Sequence, residues 1–123
     1  MAEQYFTADP TCESKQVPCS FVYRGHGLNF MTDAGVFSKG ELDTGTRLLL
    51  DALPDVYGDV LDLGCGWGAI GGAVKKKYPA AHVTMVDVNR RALELCRFNA
   101  VRNGITAECL ESDGMAEVME RTF

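Results

Sequence analysis

Five cysteines occur among the 123 residues, yet no two form a Cys-x-x-Cys pair. Zinc sites favour close-spaced pairs, so Cys12, Cys19, Cys65, Cys96 and Cys109 predict no metal centre. The first residues lack a basic stretch followed by an apolar one, so no secretory signal is expected. An odd thiol count without such a signal reads as reduced cysteines in a cytoplasmic protein. No apolar run nears the roughly 20 residues of a membrane span, so no membrane partner is expected. Positive charge is scarce as well. A net charge of −5 argues against the basic face of a free-standing nucleic-acid grip. There are no repeats and no low-complexity segment. Histidine is rare, and neither His26 nor His82 suits catalysis. His26 falls in a hairpin turn, and His82 opens a strand at the end remote from the glycine loop described below.

What is present fits one modest domain. The length allows a single core burying about 60–70% of the unfolded surface. Residues 1–18 are polar and irregular, with Pro10 and Pro18. Phe21, Tyr23, Leu28 and Phe30 alternate around Arg24-Gly25-His26-Gly27, a hairpin pattern. "DAGVFSKGELD" reads as a loop. A helix is expected over Thr44 to Leu53, capped by Asp43, ended by Pro54, with Leu49 and Leu53 on one face. "DVLDLG" predicts a strand, 68–78 a helix, "HVTMVDV" a second strand and 90–103 a second amphipathic helix. In that helix Ala92, Leu93, Cys96 and Ala100 share the apolar sector, with Arg90, Glu94, Arg97 and, at the margin, Arg91 opposite. Phe98 and Val101 lie on the charged side, either as isolated exposed residues or as a contact pair. "ITAECLES" predicts a third strand, and a further helix is placed after Asp113.

Strand–helix–strand–helix–strand at this spacing predicts the α/β class. The expected fold is the βαβαβ N-terminal part of a Rossmann-like, doubly wound parallel sheet, with right-handed crossovers. The division expected is a β-hairpin extension over 1–40 and a partial cofactor-binding domain over 41–123.

"VLDLGCGWGAI", residues 60–70, marks the first strand-to-helix turn. Gly64 and Gly66 can take backbone angles closed to other residues, and their bare backbone admits a ligand. A helix starting near Gly68 would present free N–H groups and a positive dipole end, which suits a polar or anionic ligand group. Gly64-x-Gly66-x-x-Ala69 also fits the dinucleotide fingerprint, with Asp87 at the end of the next strand placed to accept from ribose hydroxyls. The third strand ends at Ser112-Asp113-Gly114, where Asp113 either caps a helix, meets an adenine amino group, or does both.

"DLGCGWG", Asp87 and "ESDG" resemble the cofactor site of class I S-adenosylmethionine-dependent methyltransferases. "YFTADPTCESK", "FMTDAGVFSKGELDTGTRLLLDALP" and "VTMVDVNRRALELCRFNAVRNG" resemble the small-domain family of ribosomal RNA guanine-N2 methyltransferases. The resemblance covers essentially the whole chain, and "GVFSKG…LDTGT" is its more family-specific part. It implies S-adenosylmethionine as cofactor and ribosomal RNA as methyl acceptor. The cofactor-binding set it implies is Asp62, Gly64, Cys65, Gly66, Gly68, Asp87, Val88, Asn89 and Asp113, with Phe37 and Ser38 from the preceding loop. Asp62 and the glycines would serve the methionine and ribose side, Asp87 the ribose hydroxyls, Asn89 the adenine flank and Asp113 its amino group. Phe37 is equally compatible with plain core packing, and Trp67 with packing or a pocket wall.

Two features depart from the family pattern. Gly71-Gly72 sit inside a helix, where each glycine costs roughly 1 kcal/mol relative to alanine. The family's Asp/Asn-Pro-Pro-aromatic segment, which holds the acceptor amine, does not occur in the sequence. No residue here replaces it, so no catalytic residue is assigned. The expectation is the cofactor-binding portion of a guanine-N2 methyltransferase, inactive by itself. The alternatives are a non-catalytic S-adenosylmethionine-binding or assembly module and, more distantly, a nicotinamide-dependent oxidoreductase. Without a fourth strand, residues 59–63 would form an open apolar edge, and self-association through it is expected.

Overall fold

The computed structural model describes residues 16–33, 42–112 and 123. Phe37, Ser38, Asp113 and the helix expected after Asp113 lie outside the described residues.

The chain opens with an antiparallel hairpin of β1 (Gln16–Tyr23) and β2 (His26–Asp33), in register from Tyr23↔His26 to Gln16↔Asp33. Its turn is tighter than the sequence suggested. Only Arg24 (φ 48°) and Gly25 (φ 85°) lie between the strands, and both are left-handed. That pair of angles matches the twist of the flanking strands, as in two-residue hairpin loops. Strand β1 also begins earlier than expected, inside the stretch read as irregular. Pro18 is tolerated there because its partner Met31 points its own N–H and C=O away from β1, toward Asn99. No ladder bond is lost at that pair. The alternation holds: Cys19, Phe21, Tyr23, Leu28 and Phe30 are all buried.

Helix α1 (Thr44–Ala52) starts where expected, with the Asp43 side chain accepting from Thr46 N at 2.7 Å. Its buried face differs. Leu50 packs into the core under the hairpin, while Leu49 is 47% exposed and Leu53 is only partly covered. The hairpin determines which leucine turns inward, and the helical period alone does not contain that information.

The rest is βαβαβ: β3 (Asp59–Leu63), α2 (Ala69–Lys77), β4 (His82–Asp87), α3 (Arg90–Arg102) and β5 (Glu108–Glu111). The strands form a parallel sheet in the order β3-β4-β5. Central β4 buries Val83, Thr84, Met85 and Val86 almost completely, as a strand covered on both faces must. Strand β5 is shorter than the expected 105–112. Gly104 (φ 66°) and Ile105 close α3, with Ile105 N bonded to Ala100 O at 3.0 Å, so pairing starts only at Glu108. No described helix is long and apolar enough to cross a membrane.

The apolar sector of α3 is as expected, with Ala92, Leu93, Cys96 and Ala100 all buried, and Phe98 and Val101 exposed. Arg91 is a correction. It is buried rather than solvated, with Nη2 at 3.3 Å from Asp33 Oδ2. The hairpin covers a second face of α3, on which Leu95, Asn99 and Asn103 are also buried.

Gly71 and Gly72 have a steric reason. A Cβ on Gly71 would lie 2.6 Å from Met85 Sδ and 3.0 Å from Asp62 Oδ2, and one on Gly72 would lie 3.0 Å from the Phe30 ring. Helix α2 is squeezed between sheet and hairpin. One core cluster joins Phe21, Leu28 and Phe30 to Leu50, Trp67, Ala73 and Leu95. The other joins Val74, Val83, Met85, Leu93 and Cys96 across the sheet.

Candidate cofactor site

The sheet's carboxyl ends come together through backbone bonds. Gly64 N and Cys65 N both donate to Val86 O, at 2.7 and 2.9 Å, tying the end of β3 to β4. Ser112 N donates to Asp87 O at 3.0 Å, bringing the end of β5 to the same place. The glycine loop then turns with left-handed angles at Gly64, Gly66 and Gly68. At Gly68 (φ 99°) a Cβ would also stand 3.1 Å from Cys96 Sγ, so the loop can lie this close to α3 only without a side chain.

Asp87 braces two loops. Its Oδ2 accepts from Gly66 N at 2.8 Å and its Oδ1 from Asn89 N at 2.8 Å. Asn89 in turn caps α3, accepting from Ala92 N at 3.1 Å. Each carboxylate oxygen keeps further lone-pair capacity for a ligand hydroxyl. Val88, just past the strand, is exposed at the same rim.

Asp62 accepts from Gly71 N through Oδ2 at 2.9 Å, in the first turn of α2. Burial pushes its carboxyl above the usual range, the Gly71 bond works against that, and nearby Asp87 pushes it further up. Of the N–H groups at this helix start, Gly71 N is taken by Asp62, while Gly72 N makes the ordinary helical bond to Gly68 O. A carboxylate already sits at the positive end of α2. The site as built is acidic, and a ligand with positive charge fits it better than a pyrophosphate would.

Cys65 contributes backbone rather than thiol. Its Sγ is buried, 3.9 Å from Cys96 Sγ, which is 3.7 Å from Cys109 Sγ. All four described cysteines are free thiols. The hydrogen bond with Cys96 and burial push the Cys109 thiol up. Trp67 does both jobs expected of it: its ring is buried edge-on to Phe30 at 5.2 Å, and the residue also lines the cleft beside the loop. His82 lies at the other end of β4, 3.4 Å from Asp59.

A cleft opens beside the loop, lined by Leu42, Asp43 and Thr46 with Gly64, Cys65, Gly66, Trp67, Ala69 and Ile70. Leu42, Asp43 and Thr46 were not among the expected site residues. Their signal was the "LDTGT" segment, read as a helix start and as part of the family resemblance but given no site role.

These features agree with comparisons to known proteins. Residues 27–123 match the methyltransferase small domain. The uncharacterized protein YbxB of Bacillus subtilis (strain 168) is 44% identical over 108 residues, covering 86% of this chain and 54% of that protein. Ribosomal RNA small subunit methyltransferase C of Hahella chejuensis is 47% identical over 92 residues, covering 74% of this chain and 27% of that protein. The chain thus spans about half of one of these relatives and about a quarter of the other. Among solved structures, the T. thermophilus 16S rRNA N2 methyltransferase RsmC, in complex with AdoMet and guanosine, superposes with TM-score 0.77. It is 28% identical, with 89% of this chain and 31% of that one covered. A SAM-dependent methyltransferase of Agrobacterium tumefaciens shares the fold at TM-score 0.60 and 19% identity, with 88% and 36% covered. With its α/β sheet, its glycine loop between two acidic strand ends and these matches, the chain belongs to the methyltransferase small domain family.

Proposed function

We propose that this chain holds S-adenosylmethionine and serves as the cofactor-binding part of an enzyme that methylates a guanine N2 of ribosomal RNA, in the cytoplasm. The observation that carries the cofactor reading is the Asp62 carboxylate, held on Gly71 N at the start of α2 behind a glycine loop that Asp87 braces through Gly66 N. A cation is favoured beside such a pair of carboxylates. S-adenosylmethionine carries positive charge on its sulfonium and its amino group. A dinucleotide would bring its anionic pyrophosphate against the same carboxylate.

Asp87 would take the ribose hydroxyls, since its carboxylate is held at fixed orientation by Gly66 N and Asn89 N. Val88 and Asn89 would flank the adenine, and Gly64, Cys65, Gly66 and Gly68 would offer backbone. Phe37, Ser38 and Asp113 complete the proposed set. The cofactor, when bound, supplies an activated methyl group. The protein's part is alignment, which is worth up to roughly 7–11 kcal/mol in such displacements. The acceptor reading rests on the relatives named as ribosomal RNA methyltransferases.

Calorimetric titration tests this. Micromolar binding of S-adenosylmethionine and none of NAD is expected. NAD binding alone would overturn the assignment, and binding of neither would remove the cofactor role. Incubation of the S-adenosylmethionine-bound chain with unmodified small-subunit RNA is expected to transfer no methyl group, and transfer would show that these residues hold the acceptor without the family's Pro-Pro segment.

A further inference from the structure

Residues 91, 95, 99 and 103 of α3 are spaced by four and share one face. That face runs along β2. Arg91 meets Asp33, Asn99 meets Met31 and Asn103 meets Asn29. From Asn99 to Asn103 the helix rises about 6 Å and from Met31 to Asn29 the strand about 6.7 Å, so these two contacts stay nearly in step, whereas Arg91, eight residues before Asn99, falls outside that step and meets Asp33 with its long side chain. The result imitates strand pairing. Asn99 Oδ1 accepts from Met31 N at 2.7 Å, and its Nδ2 donates to Met31 O at 2.9 Å. Asn103 repeats the pattern on Asn29, at 2.8 and 2.9 Å. Side-chain amides thus take the place of a neighbouring strand along the outer edge of β2.

The two asparagines differ in their third bond. Asn103 Nδ2 gives its second hydrogen to Asn99 O, inside its own helix, at 2.8 Å. Asn99 Nδ2 gives its second hydrogen to Trp67 O at 2.9 Å. Trp67 lies between Gly66 and Gly68, in the loop assigned to the cofactor. A loop this rich in glycine has the most backbone freedom to lose when a ligand orders it. Asn99 removes part of that freedom beforehand, and the Phe30 contact with the Trp67 ring holds the same residue from the other side.

We propose that Asn99 is a positioning residue for cofactor binding. Its buried amide fixes the Trp67 carbonyl, and with it the Gly64–Gly68 loop, to hairpin strand β2. The hairpin is thereby part of the cofactor site's framework without touching the ligand. This inference rests on the proposal that the glycine loop binds S-adenosylmethionine.

Asn103 supplies the control, because it makes the same two bonds to β2 and none to the loop. Asn99→Leu and Asn103→Leu are compared in melting temperature and in S-adenosylmethionine affinity by calorimetry. Both are expected to lose similar thermal stability. Affinity should fall about tenfold in Asn99→Leu and stay within about twofold of wild type in Asn103→Leu. Equal affinity losses in the two variants, or none in Asn99→Leu, would overturn the proposal. If Asn99→Leu does not fold, Asn99→Asp replaces it, since it keeps the acceptor for Met31 N and lacks the donors to Trp67 O; unchanged affinity there overturns the proposal equally. If wild type binds no S-adenosylmethionine, the cofactor reading has failed by itself. Hydrogen exchange at the amides of residues 66–70 then decides the positioning role, which requires faster exchange in the Asn99 variant than in Asn103→Leu.

Discussion

Asp62 gives up hydration to sit at the start of α2, and among the described residues one backbone N–H, that of Gly71, offsets part of that loss. Its folded pKa is raised above the ordinary 3.8, so the ligand-free folded chain binds this proton more readily than the unfolded chain does. Stability from this group is therefore greatest below about pH 3.8 and falls as pH rises through the raised value. Asp62→Asn keeps an acceptor for Gly71 N and removes the charge. Thermal melts without ligand should show the variant gaining on wild type as pH rises through that window. S-adenosylmethionine affinity should drop at least about tenfold, the usual scale for losing a close charge partner. Gly71→Ala sets two effects against each other. Helix propensity favours alanine by about 1 kcal/mol. A Cβ 2.6 Å from buried Met85 Sδ and 2.7 Å from its Cγ costs about 1–3 kcal/mol of overpacking. Packing should win, and denaturant unfolding should show net destabilisation.

At the scale of elements, α1 depends on its cap. Hydrogen bonds from Thr46 hold the Asp43 carboxyl below its ordinary range, so its contribution is present above about pH 3.8 and lost as pH falls through the lowered value. Asp43→Ala should cost about 1 kcal/mol at neutral pH, and less in acid, by denaturant unfolding. The hairpin depends on Phe30, which stacks on Phe21 at 5.5 Å, meets Trp67 at 5.2 Å and closes over Gly72. Phe30→Ala should cost about 3–5 kcal/mol. The hairpin period, the α1 cap and the apolar sector of α3 were legible in the sequence, because each is a local pattern of residue types. The second face of α3 was not. Nothing in the local pattern marks Asn99 or Asn103 as buried, yet both are, against partners 68 and 74 residues away. Periodicity detects buried apolar residues, whereas a buried amide needs a distant partner to satisfy it.

At the scale of the whole molecule, the two core clusters lie on either side of α2 and make hairpin, loop and sheet interdependent. The sheet has one consequence for association. Among the described residues β3 pairs with β4 alone, and Leu63 at its end is half exposed. An unpaired strand edge recruits another strand. Sedimentation of these 123 residues at high concentration should show species larger than a monomer, and a monodisperse monomer would remove the edge-pairing proposal.

The sequence by itself determined the alternation of strands and helices, the glycine turn and the acidic residue ending the second parallel strand. These follow from residue types at short, regular spacing. Only the tertiary structure decided that Leu50 rather than Leu49 turns inward, that Arg91 is buried on Asp33, and that Gly71 and Gly72 make room for Met85 and Phe30. It also decided that the helix start behind the loop holds the Asp62 carboxylate on Gly71 N. Each of these depends on which surfaces meet after the chain has folded, and no local window of sequence contains both partners.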